Sequence, residues 1–440
     1  MNSNIGKVSV DGTSYWVFPN SVLTAKGREM DNSVLALALD HLRKEFVMPQ
    51  PLPTIHMTSQ QRTHDQLVHL SKCLQHVYIG SSAHVLHILA SVLKAIHFDT
   101  LMEKEKFVSI LNVSGPANVG KTLACAIALK LMESPGLMLS RCTMSSMLDY
   151  AHVFKNMLIV WDDPRNVSHG QLSSIVHEAF NGIASGTITK GRRQYNSALV
   201  IGTQQPMLGM EYTDNNVATF TRLSHVHFKT NADSKFNFER EKDLQNSLNQ
   251  ICGTVRFFIE NTDYDKAVVD DIYEKMSVHD KIIGRALRVA AIDKFFMMQM
   301  AKLMNWDEVS VDAYFKETYI PFLKTSCSRV TPFQQFLMDV AHLFENNVDI
   351  PSTFFKSRVI IDLKDHGPTE CFALYSKSFF EFLARYFDSL AYTKESIHHH
   401  VKTSKIGEVS RNVSYKSGNA VIIRRSIVIR RIHLEKVLKY

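Results

Sequence analysis

A chain of 440 residues with 45% apolar content can bury two or three domain cores, and no apolar run in it is long enough to cross a bilayer as a helix. The formal net charge is +7, and six cysteines (Cys73, Cys125, Cys142, Cys252, Cys327, Cys371) show neither metal-ligand nor disulfide spacing, which points to a reducing compartment. Met1-Asn-Ser-Asn lacks the basic-then-apolar pattern of a signal peptide, so the expectation is an intracellular location, cytoplasm or nucleus, without membrane contact.

In chain order, the first predicted element is a β-hairpin over residues 7–18, turning on Asp11-Gly12. Residues 32–46 and 63–98 read as helical and would form a collar, with the Pro-rich stretch 48–53 as a linker before the second of them. The apolar run 108–113 is a predicted strand, and directly behind it stands Gly115-Pro116-Ala117-Asn118-Val119-Gly120-Lys121-Thr122. Glycines at this spacing let successive backbone N–H groups turn inward on phosphates. Lys121 would reach the β- and γ-phosphates, and the Thr122 hydroxyl would ligate Mg²⁺. The positive end of a helix should face the anion, and residues 123–132 are good helix formers without Gly or Pro. This is a nucleoside triphosphate site by pattern, with ATP and Mg²⁺ as the expected cofactors.

A second buried strand, residues 157–161, ends in Asp162-Asp163. Paired carboxylates at a strand tip cost desolvation energy unless a cation neutralises them. Asp162 is therefore assigned to Mg²⁺ through water, and Asp163 to orienting or deprotonating the attacking water. Residues 187–195 read as a hairpin with a cationic end, Lys190-Gly191-Arg192-Arg193, suited to a phosphate backbone, with Tyr195 available to stack on a base. A third strand, 197–202, ends in Thr203-Gln204-Gln205. If it lies between the other two, Gln204 is a candidate sensor of the γ-phosphate. Arg222 begins a further strand and would project from the subunit edge as a finger for a neighbour's nucleotide.

The order of these parts over residues 108–228, about a quarter of the chain, resembles the AAA+ core of the superfamily 3 helicases of viruses and mobile elements. Similar cores occur in phage and plasmid replication ATPases. The resemblance implies that Lys121 and Thr122 bind ATP and Mg²⁺, that Asp162 and Asp163 form the acidic pair, that Lys190 lies on a hairpin reaching into a ring channel, and that Arg222 acts in trans within a homo-oligomer, typically a hexamer. The family usually carries Asn after a Thr at the sensor strand, where this chain has Thr203-Gln204.

Further along, residues 279–304 suit a helical lid over the nucleotide, on which Arg285 or Arg288 either touches the γ-phosphate or faces solvent. From residue 401 to 440 ten Lys and Arg face two Glu, a local +8 that leaves −1 for the first 400 residues and marks a polyanion partner. Residues 379–390 and 394–403 have helical patterning, and 409–415 with 420–423 make a hairpin around Lys416-Ser-Gly-Asn419. Two helices and a hairpin resemble a winged helix, placing Lys416, Arg424 and Arg425 on duplex DNA. His398-His399-His400 cannot share one helix face, so phosphate contact is the better reading than a metal site.

The fold class expected is α/β, a P-loop core with a parallel sheet. The divisions are 1–100 for the hairpin and helical collar, 101–240 for the ATPase core, 241–350 for the lid and connecting region, and 351–440 for the basic winged-helix-like domain. Two functions fit: an ATP-driven DNA helicase or translocase in replication of a virus, phage, plasmid or mobile element, and a P-loop ATPase that remodels or switches a protein partner.

Overall fold

The computed structural model describes residues 5–10, 12–30, 51–140, 142–164, 167, 169–183, 185–187, 191–203, 218–228, 235–279, 284–327, 332–346, 348–364, 366–387, 392–417 and 420–438. They form two compact units, one within residues 1–208 and 218–324 and the other within 325–440.

The first unit opens with β1 (Ile5–Val10), β2 (Thr13–Phe18), β3 (Ser21–Thr24) and β4 (Glu29–Met30), an antiparallel meander in which Val10 stands opposite Thr13. Trp16 and Phe18 are buried in it. The region read as helical over 63–98 forms two helices, Gln60–Val77 and Ser82–Ile96, parted by the short β5 (Tyr78–Ile79). Ser59 caps the first by accepting from the Arg62 N–H. The second is buried along nearly its whole length and packs on the central sheet. The predicted helix over 32–46 lies outside the described residues.

That central sheet is built from β6 (Ile110–Ser114), β7 (Met138–Ser140), β9 (Leu158–Asp162), β12 (Ala198–Gly202) and β13 (Leu223–His227), all parallel, in the order β13-β6-β12-β9-β7. Strands buried on both faces are largely apolar, which is why β9 and β12 read as unbroken runs rather than alternating ones, while β6 carries the buried Asn112 within its run. The helix Lys121–Leu131 follows β6 and packs against β9 and β12. β8 (Phe154–Lys155) pairs in parallel with β1, joining the N-terminal meander to this body, and β10 (Ser185–Thr187) with β11 (Gly191–Arg193) forms an antiparallel hairpin. β14 (Lys235–Phe236) pairs with β5.

Below the sheet lies a fully buried polar knot. Lys94 Nζ donates to Asp293 Oδ1 at 2.7 Å and to Ser109 Oγ at 3.1 Å; Tyr319 donates to Asp293 Oδ2 at 3.1 Å, and the Ser224 hydroxyl donates to the same oxygen. His87 bridges Ser224 at 3.1 Å and Tyr314 at 3.2 Å. Burial alone would raise the Asp293 carboxyl, but Lys94 and His87 together hold it well below the ordinary carboxylate range. Removing either Lys94 or Asp293 would strand the other's charge in an apolar interior at a cost of about 3–5 kcal/mol. The knot therefore fixes the helix Gly284–Leu303, which carries Asp293, to β13 and to the approach to β6.

The second unit has its own core. The helix Pro332–Glu345, β15 (Phe355–Leu363), β16 (Gly367–Leu374), the helices Ser376–Tyr386 and Lys394–Thr403, β17 (Gly407–Ser417), β18 (Ala420–Arg430) and the helix Arg431–Leu438 follow in order. The antiparallel sheet runs β15-β16-β18-β17. Phe336, Phe372, Phe379, Leu383, Ile397, Val401, Ile427 and Ile429 fill the space between sheet and helices. Thr393 opens the helix Lys394–Thr403 through a capping box with Ser396. The predicted hairpin over 409–423 is present and longer at both strands.

Candidate nucleotide site

β6 ends at Ser114, and the chain then turns through Gly115–Gly120 into the helix Lys121–Leu131. Gly120 caps that helix in the left-handed region, φ +84°, and a Cβ on it would come within 2.6–2.8 Å of the rings of Tyr78 and Phe236. No other residue satisfies both demands. Tyr78, buried beneath the loop, donates its hydroxyl to Gly120 O at 2.8 Å, and its ring meets Phe236 edge-on with centroids 5.2 Å apart. The β5–β14 pair is thus the support of the loop. Phe238, packed on Phe236 at 4.7 Å, is 65% exposed beside it.

Lys121 folds over the loop, donating to Gly115 O at 2.7 Å and to Pro116 O. Partial burial lowers its amine from the ordinary value, opposed by the carboxylates of Asp162 and Asp163. Thr122 donates its hydroxyl to Asp162 Oδ2 at 3.1 Å, across 40 residues of sequence. Asp162 ends β9 with Gly202 of β12 directly beside it. Asp163 takes φ +48° and donates its N–H to Gly202 O at 3.0 Å, so the chain leaves the sheet sharply at the second carboxylate.

β12 does lie between the strands of the loop and of the acidic pair. Asn112, fully buried on β6, donates to Thr203 Oγ1 at 3.0 Å and Ile201 O at 3.2 Å, pinning the end of β12. Gln204 itself, like Lys190, lies outside the described residues. The hairpin that carries Arg192 and Arg193 is formed, with Gly186 opposite Arg192 and Ser185 opposite Arg193.

Two expectations are corrected. Tyr195 is not free to stack on a base: it is 2% exposed, packed where the chain turns from the hairpin towards β12. Arg288 is no γ-phosphate ligand within this chain, because Glu105 grips its Nε and Nη2 at 2.8 and 2.5 Å and Asp270 takes Nη1 at 2.6 Å. Glu105 precedes β6, at the edge of the sheet opposite the loop. Arg222 stands at that same far edge, level with the start of β6, its guanidinium 5.6 Å over the ring of Phe180. Five strand residues at about 3.3 Å each separate that edge from the loop. Arg222 Nε is buried and lacks a hydrogen-bond partner among the described residues, and burial together with Arg285 lowers its pKa. Arg222 is therefore remote from the glycine loop of its own chain.

In the second unit Lys416, Arg424 and Arg425 sit on the β17–β18 hairpin, Lys416 and Arg425 exposed and Arg424 4.5 Å over the Tyr375 ring. His400 stacks on Phe333 at 4.4 Å, and no cluster of metal-ligating side chains occurs among the described residues. Nor is any single described helix long and apolar enough to cross a membrane.

No protein-family model and no curated protein sequence matches the chain. Among solved structures it aligns with SCCmec type IV Cch, described as an active helicase, at 12% identity and a TM-score of 0.49 over 99% of this chain and 80% of that one. A Cytophaga hutchinsonii protein described as an ATPase aligns at 13% identity and a TM-score of 0.34, over 58% of this chain and 86% of that one. The apo C-terminal region of NrS-1 aligns at 12% and 0.26, over 98% and 84%. At these similarities the alignments assign neither activity nor residue roles.

Proposed function

We propose that this chain is an ATP hydrolase of the AAA+ type that drives a DNA helicase or translocase, of the superfamily 3 kind used in replication by viruses, phages, plasmids and mobile elements. The observation that carries the reading is the Thr122–Asp162 hydrogen bond. It brings together a hydroxyl to ligate Mg²⁺ and a carboxylate to hold it through water, beside a lysine and at the start of a helix, with waters and phosphate oxygens left to complete the octahedron. Mg²⁺ bound there would neutralise charge on the β- and γ-phosphates.

The chain's own groups do the rest. Lys121 exchanges the carbonyls of Gly115 and Pro116 for phosphate oxygens, while the loop N–H groups from Pro116-free positions, Ala117 to Thr122, cradle the triphosphate. Asp163 orients the attacking water, with Gln204 as a second contact. Because Arg222 lies at the far edge of its own sheet, its role is in a ring, most simply a hexamer, where it meets the next subunit's γ-phosphate. Lys190, Arg192 and Arg193 on the hairpin hold single-stranded DNA in the channel, and Lys416, Arg424 and Arg425 of a winged-helix-like C-terminal unit hold duplex phosphates. Such a protein works inside a cell, in cytoplasm or nucleus.

The test is steady-state ATP hydrolysis with and without single-stranded DNA, with Lys121→Ala as control. Stimulation that the control lacks is the expected result. Robust hydrolysis indifferent to DNA would instead favour the remodelling of a protein partner.

A further inference from the structure

The β17–β18 hairpin is longer than the sheet that supports it. β16 pairs with β18 only at Ile427–Arg430, so residues 411–417 and 420–426 run on as a two-stranded ribbon. The two faces of that ribbon differ. One is packed: Val413 and Tyr415 are buried, Tyr415 donates its hydroxyl to Ser426 Oγ at 2.8 Å, and Arg424 lies over Tyr375. The other carries Val421 and Ile423, 67% and 69% exposed, then Arg425, with Lys416, Ser414 and Asn412 directly across. By strand parity this bare face continues the one that buries Ile427 and Ile429 beneath the helices.

Bare β-branched residues on a ribbon are an aggregation liability unless something covers them. Charge decides what. Between Glu408 and Glu435 the sequence has six Lys and Arg and no acidic residue, and Lys416, Arg424 and Arg425 have no carboxylate partner among the described residues. A lipid surface would be met by a broader apolar band. Here two aliphatic side chains are bracketed by cations and by the hydrogen-bonding groups of Asn412 and Ser414, which match phosphates, sugars and base edges. Proteins that unstack duplex DNA use this combination, an apolar wedge between bases with cations on the flanking backbone.

We infer that the ribbon docks on duplex DNA by this face, Val421 and Ile423 wedging into one base step while Lys416 and Arg425 take the phosphates beside it. The inference rests on the nucleic-acid reading of the C-terminal unit and adds to it a local opening of the duplex that needs no ATP.

The experiment uses the full chain without nucleotide and short duplexes carrying single 2-aminopurines, with binding followed separately by anisotropy. Wild-type protein is expected to raise 2-aminopurine emission several-fold at the contacted step. Val421→Ser with Ile423→Ser should keep duplex affinity within a few-fold and lose the rise, whereas Val421→Leu with Ile423→Leu should retain it. Lys416→Ala with Arg425→Ala should weaken binding and flatten its salt dependence, leaving emission per bound duplex unchanged. Binding without any rise, or a rise that survives the serine pair, overturns the wedge while leaving DNA binding intact. No duplex binding at low salt overturns the nucleic-acid reading as well. Binding to phosphatidylserine vesicles, lost in the serine pair and unaccompanied by duplex opening, would assign the face to a lipid surface instead.

Discussion

Gly202 and Asp162 stand side by side on paired strands with no room for a side chain between them: a Cβ on Gly202 would meet Asp162 Oδ1 at 2.5 Å. The orientation of the carboxylate that receives the Thr122 hydroxyl is therefore set by what its neighbour lacks. Gly202→Ala should push Asp162 off Thr122 and lower ATP hydrolysis about 100-fold, the scale of an ångström's misplacement at a reacting centre. Nucleotide binding should fall far less, because the loop is untouched. Hydrolysis within a few-fold of wild type would show that Asp162 is not held by this contact.

The Tyr78 hydroxyl is a second point of control. Tyr78→Phe keeps the ring against Phe236 and removes only the bond to Gly120 O. A hydrogen bond of this kind contributes about 1 kcal/mol, which corresponds to roughly fivefold weaker nucleotide binding if the loop must be pre-formed. Titration with a fluorescent ATP analogue reads this directly, and unchanged affinity would remove Tyr78 from the account of the loop.

Acid should destabilise the first unit through its buried histidines. Burial lowers His225 to about 3 despite its contact with the Phe220 carbonyl, so the folded protein keeps that ring neutral. The unfolded chain protonates it near pH 6.5. Between those values the unfolded state binds one more proton, and stability falls as pH falls, by about 1.4 kcal/mol per pH unit for this group. Urea midpoints at pH 7.5 and 5.5 should differ in that direction, and His225→Gln should reduce the difference. An unchanged slope in the variant would mean that the ring is protonated in the fold.

Arg222 at the far edge makes a claim about pairs of chains. Arg222→Ala and Lys121→Ala should each abolish hydrolysis alone. Mixed and allowed to exchange subunits, they should recover part of it, since some interfaces then join an intact loop to an intact arginine. A mixture as inactive as its components would leave Arg222 as an edge residue with no partner site.

How much of this was legible depends on the range over which each signal acts. The loop, the carboxylates at the end of β9 and the polar end of β12 are local in sequence, and buried parallel strands announce themselves by unbroken apolar runs. What placed Phe236 and Tyr78 beneath Gly120 is a pairing of two-residue strands, too short to leave a pattern. β7, three residues at the sheet edge, was equally silent. Tyr195 was misread because alternation in a hairpin does not say where the hairpin stops, and it stops at Arg193. For Arg288 neither the phosphate nor solvent is the partner, because helical spacing shows a face and not the carboxylates opposite it, which come from Glu105 and Asp270.

The knot around Asp293 has an evolutionary consequence. Lys94, Ser224 and Tyr319 all answer to one carboxylate, and His87 is tied to it through Ser224, yet these residues come from separate stretches of the chain. None can drift alone without leaving a stranded partner. Descendants of this sequence should therefore keep the set whole or exchange it whole for apolar residues of similar volume, so that positions 87, 94, 224, 293 and 319 vary in concert while the surface around them varies freely.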